Sequence, residues 1–345
     1  MIKFLVFADS HYKKGTYRTQ VSDLEKIMKR AADEKVDFVI HCGDFSNDYK
    51  DSPEFLRAYL ENPYGLAVYG VYGNHELESR TMNTMKNVTR SLCNREVSFG
   101  KPCYDEPDDI AGYWYTDIGN YRLIGLDTNY SYDNRYYEGK WMHNNRTAPP
   151  DGNHVKDSLA PAQLNWLYDL IEDEHKTDKK VIIASHAGFT KNNYEWSPDT
   201  EHVRHIFSKF PGTVLLAMNG HYHTDHCSVE EGVCYFDVNT AINGYWSLQN
   251  EPHYLDTDTF THTYYDQEGN ALSTVECPLN SLVQGWNTWS FTEPLSAVVT
   301  IDDNKKITIN GSKTDWQHGV IPSRESVTSY YEGFKPEIAD REIQL

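Results

Sequence analysis

The chain has 345 residues, 39% of them hydrophobic and 24% charged, the balance of a soluble globular protein and not of a disordered or membrane-spanning one. Its formal net charge of −19, from 51 acidic against 32 basic side chains, opposes binding to nucleic-acid backbones and anionic membranes, which need clustered Lys and Arg. No apolar run approaches the ~18 residues of a membrane span, and six sparse cysteines without a close CxxC pair read as reduced thiols, although Cys227 and Cys234 flank a hairpin across which they could meet.

The opening MIKFLVFADSH turns polar too early for a signal peptide and reads as the first strand, which makes a cytoplasmic location the expectation. After Ile2–Phe7, further strand-like runs fall at Phe38–His41, Ala67–Val71, Arg122–Leu126, Val181–Ala184 and Val214–Met218. Helical periods lie between them. Val21, Leu24, Ile27, Met28 and Ala31 share one face, and Ser52-Pro53 opens a second helix with a cap and a first-turn proline. A third carries Leu164, Leu167, Leu170 and Ile171, and a fourth Val203, Ile206, Phe207 and Phe210; these stripes face a core. Past Gly220 the texture changes to hairpins: CSVEEGVCYFDV turns at Glu231-Gly232 and AVVTIDDNKKITING near Asp303-Asn304.

The expected fold is α/β: two packed sheets flanked by helices, in one domain over residues 1–345. Two stretches depart from that plan. Residues 129–160 read as a long aromatic and polar connection, a length that tends to be functional. Residues 245–296 read as an insertion with Trp246, Trp286, Trp289 and a Thr/Tyr-rich hairpin around Gly269. Tyr136, Tyr137 and Trp141 in the first stretch, with Trp286 and Trp289 in the second, are expected to cover the functional cleft and set the substrate by stacking. The polar tail 323–345 reads as a strap over the surface.

The stretch NGHYHTDH, residues 219–226, crowds three histidines behind an apolar run. Other candidate ligands also sit just past strand ends: Asp9 and His11 in FADSH, Asp44 in HCGDFSND, Asn74, His75 and Glu76 in YGNHELE, and His186 after VIIAS. In open α/β sheets, groups beyond the carboxyl ends of strands converge. An extended local backbone would aim Asp9 and His11 at one target and His221 and His223 at another, with Gly43, Gly73 and Gly220 supplying sharp exits. Two carboxylates, an amide oxygen and four imidazoles favour Mn, Fe or Zn over Ca. Seven ligands exceed what one catalytic ion takes, and two ions sharing a carboxylate resolve the count.

In that order and on those strand ends, Asp9-x-His11, Gly43-Asp44, Gly73-Asn74-His75-Glu76, His186 and Gly220-His221-x-His223 resemble the calcineurin-like metallophosphoesterase family over roughly residues 1–240. The resemblance implies a four-layer α/β/β/α sandwich of two mixed sheets flanked by helices. It implies a first metal held by Asp9, His11, Asp44 and His223 and a second by Asp44, Asn74, His186 and His221, with Asp44 bridging. In the purple acid phosphatase branch a tyrosine lies three residues past the bridging aspartate; here that position is Asn47, so no ferric site is expected. Protein phosphatases carry an aspartate there to support the acid histidine, which leaves Glu76 and Asp48 as stand-ins for the partner of His75.

The expected activity is metal-dependent hydrolysis of a phosphomonoester, or of a small phosphodiester such as a nucleotide. A metal-bridging hydroxide between two divalent ions (Mn, Fe or Zn, manganese first) attacks phosphorus, Asn74 and His75 neutralise phosphoryl charge, and His75 protonates the leaving oxygen. The expected partner is a small phosphorylated substrate, with no nucleic-acid polymer and no membrane. One alternative is a polynucleotide nuclease of the same family, which the acidic charge and the lack of a basic stripe disfavour. Another is a catalytically silent metal-binding scaffold, which the complete ligand set disfavours. The remaining groups read blandly: His226 as a hydrogen-bonding surface residue, His41 as a core or supporting histidine, His202 and His205 on a solvated helix face, Arg80 on the surface.

Overall fold

In chain order the strands of the two large sheets are β1 (Ile2–Phe7), β2 (Phe38–His41), β3 (Val68–Gly70), β4 (Ser98–Phe99), β5 (Trp114–Ile118), β6 (Tyr121–Gly125), β7 (Lys180–Ala184), β8 (Val214–Asn219), β9 (His226–Glu230), β10 (Val233–Asp237), β11 (Ala297–Ile301), β12 (Lys306–Asn310) and β13 (Arg341–Gln344). The helices are α1 (Val21–Asp33), α2 (Ser52–Leu60), α3 (Pro161–Thr177) and α4 (Thr200–Lys209). This computed structural model describes residues 1–14, 19–46, 52–76, 92–101, 112–133, 140–142, 154–190, 199–247, 259–265, 271–278, 287–316 and 335–345.

Both sheets are mixed. The first runs β13-β12-β11-β1-β2-β3, with β1, β2 and β3 parallel and the other pairings antiparallel. The second runs β9-β10-β8-β7-β6-β5-β4, parallel through β10, β8, β7 and β6. Alternation along the strands builds the layers. Phe4 and Val6 of β1 and Phe38 and Ile40 of β2 face inward and pack with Leu123, Leu216, Met218 and Phe236 of the second sheet. Leu5, Phe7 and Val39 face the other way, onto Leu24, Ile27 and Met28 of α1 and Phe55 and Tyr59 of α2. On the far side Val181, Ile183 and Val214 receive Leu167 and Ile171 of α3 and Val203 and Phe207 of α4. Each such buried side chain contributes roughly 1.5–3 kcal/mol. The result is the α/β/β/α sandwich that the sequence leads one to expect. Among the described residues no helix is long and apolar enough to cross a membrane.

The helix ends follow local chemistry. Gln20 N–H donates to Asp23 Oδ2 at 2.9 Å at the start of α1, one half of a capping box. Pro161 opens α3, where a missing N–H costs nothing. At the predicted hairpin turn, Glu231 and Gly232 both have positive φ, 53° and 78°.

The described parts of residues 129–160 carry strands where the sequence reads only a connection. Tyr130–Asp133 pairs antiparallel with both Lys140–Met142 and His154–Ser158. Strands this short carry little local pattern, and pairing between separated segments decides them. In the insertion, Asn243–Ser247 pairs with Asn287–Ser290, and Thr259–Tyr265 with Ala271–Pro278, the hairpin expected around Gly269. Tyr136, Tyr137 and Trp286, together with the side chains of Trp141 and Trp289, lie outside the described residues. The tail does more than strap a surface: β13 is an edge strand of the first sheet, and Ile338, at 2% exposed, joins the core between the sheets.

Candidate metal centre

Five of the nine described non-glycine residues with positive φ are Asp9 (51°), His11 (43°), Asp44 (57°), His221 (74°) and His223 (54°). This left-handed conformation costs an ordinary residue of order 1 kcal/mol or more and persists where the surroundings over-determine it. It also corrects the extended-backbone reading of the two Xaa-x-His pairs. Each strand breaks into a left-handed residue at its end, and that turn decides where its side chain points.

Asp9 and His11 follow β1, and their loop lies along the one after β2: Asp9 N–H donates to Gly43 O at 3.1 Å and His11 N–H to Asp44 O at 3.0 Å. Asp44 is 2% exposed. Its Oδ2 stands 3.6 Å from His11 Nε2 and 3.3 Å from His186 Nε2, between two groups of side chains. On one side His11 Nε2 and His223 Nε2 meet at 3.0 Å, with Asp9 Oδ1 3.5 Å from His223 Nε2. On the other, His186 Nε2 lies 3.0 Å from Asn74 Oδ1 and 3.1 Å from His221 Nδ1. His221 and His223 therefore serve different groups and do not share one target. His75 is brought in as well: its N–H donates to Asp44 Oδ1 at 2.9 Å and its Nε2 lies 3.9 Å from Asp44 Oδ2. Its side chain is 12% exposed, against 1% for His11 and His186, so it faces the open side of the centre.

Three groupings, Asp9-His11-His223, His11-Asp44-His75 and Asp44-His186-His221, keep their ligand atoms within 4.8 Å of one another and could hold metal ions. The donors suit a pair of divalent cations. Carboxylate, amide and imidazole donors converge, and the tautomer of His186 is held for that purpose. Cys42 O can only accept, so His186 Nδ1, 2.8 Å away, carries the proton and Nε2 turns to Asp44, Asn74 and His221. Burial opposes a charge on His186, but Asp44 beside it and Asp9 outweigh burial and push its pKa up to about 10. Burial likewise opposes charge on Asp44, yet His186, His75 and His11 hold it well below the usual carboxylate range. A buried anion needs positive charge beside it, which protonated histidines or a bound cation supply.

Two glycines are present because carboxylates approach too closely for a side chain. A Cβ on Gly73 would lie 2.1 Å from Asp44 Oδ1, and one on Gly220 2.5 Å from Asp9 Oδ2. Of the three glycines read as sharp exits only Gly43 has positive φ, 91°.

Supporting residues were partly legible in sequence. His41 is a buried histidine, as expected, with its basicity lowered by burial. Gly43 N–H donates to its Nδ1 at 3.1 Å, which leaves Nε2–H to donate to Ser10 Oγ at 2.8 Å, so one ring ties the Asp9 and Asp44 loops together. Glu76 departs from the reading of it as a partner of His75. Its carboxylate accepts the N–H groups of Asp44 (2.9 Å), Phe45 (2.8 Å) and Gly73 (2.7 Å), clamping the loops after β2 and β3. Burial, then the neighbouring Asp44, pushes it up to about 8. Asp48, Asn47 and Arg80 lie outside the described residues. His226 pairs with buried Asp237 at 3.2 Å, and the His202 side chain is exposed, both as read. Cys227 and Cys234 Sγ atoms stand 3.5 Å apart as free thiols.

Sequence reading missed Tyr222, Asp127 and Asn129. Gly188 N–H donates to Tyr222 Oη at 3.1 Å, joining the loops after β7 and β8. Asp127 Oδ1 accepts the Asn129 side-chain amide at 3.0 Å, and that amide donates to Tyr72 O at 3.0 Å, bracing the Asn74 loop from the opposite sheet. Neither role has a local motif, because Gly188 lies far from Tyr222 in sequence and Tyr72 far from Asn129.

A family model for calcineurin-like phosphoesterases matches residues 2–225. The chain belongs to that family, which groups it with metal-dependent hydrolases of phosphoesters. Among solved structures, a dimetal phosphatase from Danio rerio is similar over 90% of this chain and 95% of its own, at 15% identity and TM-score 0.52; at that identity the likeness is one of fold. A Staphylococcus aureus protein described as a 5′-nucleotidase aligns with 93% of this chain and 55% of its own, at 14% identity and TM-score 0.47. GAP50 of Plasmodium aligns with 93% of this chain and 87% of its own, at 12% identity and TM-score 0.45. No curated protein matches the sequence.

Proposed function

We propose that the chain hydrolyses small phosphoesters at a centre of two divalent metal ions. The observation that carries this is Asp44, whose single oxygen Oδ2 faces His11 at 3.6 Å and His186 at 3.3 Å from between the two groups. Asp9, His11, Asp44 and His223 would hold one ion, and Asp44, Asn74, His186 and His221 the other. Bound there, the ions supply a water acidic enough to act as nucleophile near neutral pH and polarise the phosphoryl oxygens. The protein's own part is orientation. The loops that carry the ligands are locked by Glu76, His41 and Tyr222, so little reorganisation accompanies the reaction. His75, at the exposed side, delivers a proton to the leaving oxygen, and the Asn74 amide adds a donor toward phosphoryl oxygen. Residues 129–160 and 245–296 set the substrate, and manganese is the first metal to try.

The test is a panel of phosphomonoesters, phosphodiesters and nucleotides, assayed with Mn, Fe, Zn and Mg after measurement of metal content. Turnover that needs metal and reaches a plateau at two ions per chain is expected. Metal-loaded protein inert across the panel would overturn the reading.

A further inference from the structure

Residues 220–225 carry ligands for both proposed ions, and their far end is gripped from the opposite sheet. Asp225 lies two residues past His223 and is 8% exposed. Its carboxylate accepts both arms of one guanidinium: Arg341 Nη1 donates to Oδ1 at 2.8 Å and Nη2 to Oδ2 at 2.7 Å. Ala339 N–H donates to the same Oδ2 at 3.0 Å. Arg341 belongs to β13, an edge of the first sheet, whereas Asp225 leads into β9, an edge of the second. The segment that brings Arg341 is pinned again where the Asn239 amide donates to the carbonyls of Lys335 (2.8 Å) and Glu337 (3.1 Å).

The gripped loop is strained, since His221 and His223 are both left-handed. His221 is held close by, through its N–H on the Asp9 carboxylate at 2.9 Å and through Tyr222 on the Gly188 N–H. His223 lies nearer the end that Asp225 anchors.

We propose that Arg341 is a positioning residue of the metal centre: through Asp225 it holds His223 against His11 and Asp9 and so sets the affinity of that one ion. The proposal rests on the two-metal reading. A bidentate fork fixes direction as well as distance, and its loss leaves a buried carboxylate with the Ala339 N–H but no counter-charge. The carboxylate reaches water only by turning outward, which draws the 223–225 backbone with it. The ion held by Asn74, His186 and His221 feels this least.

The experiment titrates Mn²⁺ into metal-free protein, with uptake read by electron paramagnetic resonance and melting temperatures recorded alongside. Arg341→Gln removes the charge and the fork. One of two Mn²⁺ sites should weaken by ~10–100-fold, the range for residues that orient metal ligands, while the other keeps its wild-type affinity. Arg341→Lys, which restores charge without the fork, should fall between. Asp225→Asn keeps the shape and should shift the same site in the same direction, which covers the case of Arg341→Gln failing to fold. Ile343→Ala, on the same strand but paired with Ile307 and packed on the core, is the control for plain destabilisation and should lower melting without separating the two affinities. Two unchanged Mn²⁺ sites in Arg341→Gln would overturn the proposal, as would equal weakening of both in step with melting. Fewer than two sites in the wild type would instead overturn the two-metal reading, and this proposal with it.

Discussion

Replacing Asp44 by Asn keeps the shape of the side chain and removes its charge, so it isolates what the shared anion contributes. Asp44 is 2% exposed, and water screens it little. Unit charges at the 3.3 Å that separates Oδ2 from His186 Nε2 attract by about 5 kcal/mol at an effective dielectric of ~20. Water entering and local relaxation would recover roughly half, which leaves ~2.5 kcal/mol, or ~60-fold in affinity. The 3.6 Å to His11 Nε2 is nearly the same, so the loss should fall on both ions and not on one. The amide oxygen can still accept the His75 N–H, so the loop after β3 should keep its place. Mn²⁺ calorimetry on the metal-free wild type and Asp44→Asn, with melting curves to show an intact fold, gives the measurement. Asp44→Asn weakening only one site would refute the bridging argument, and near-wild-type binding at both would refute the electrostatic one.

Three further outcomes follow from the same geometry. His75→Ala should keep both metals while turnover falls by roughly 100- to 10,000-fold, most on alkyl esters; equal losses on alkyl and p-nitrophenyl esters would show that His75 does not donate the proton. Gly73→Ala places a methyl 2.1 Å from Asp44 Oδ1 in a loop pinned by Glu76, so it should cost ~1–3 kcal/mol in stability and reduce metal uptake; a melting temperature and metal content like the wild type would refute the close-approach argument. The Asp237 carboxylate raises the pKa of His226 above its ordinary value, against partial burial. That contribution to stability is full below the unfolded histidine pKa of ~6.5 and is lost as pH rises through the higher folded value. Melting against pH should therefore slope downward there in the wild type and less so in His226→Gln, and identical slopes would exclude the pair as a contributor.

The extent to which the sequence could be read differed by element and by range. Leu24, Ile27 and Met28 on α1, and the apolar alternation of β1 and β2, announced helix and strand because their periods are local and repeat several times. The candidate ligands were legible for a related reason. A single acid or imidazole behind an apolar run often serves a turn or cap, but five such blocks in order resemble one family's site, and Asp9, His11, Asp44, Asn74, His75, His186, His221 and His223 do meet. Tertiary structure decided what depends on partners far along the chain. It turned His221 and His223 toward different groups, since left-handed backbone at each overrides the extended alternation that the sequence invites. It spent Glu76 on three backbone N–H groups that no spacing rule reveals. It also formed short strands within residues 129–160 and bound Arg341 to Asp225, 116 positions away. Local periodicity records which face a residue must bury. The choice among polar partners is left to packing, because many partners satisfy a hydrogen bond equally well and only the folded chain brings one of them within reach.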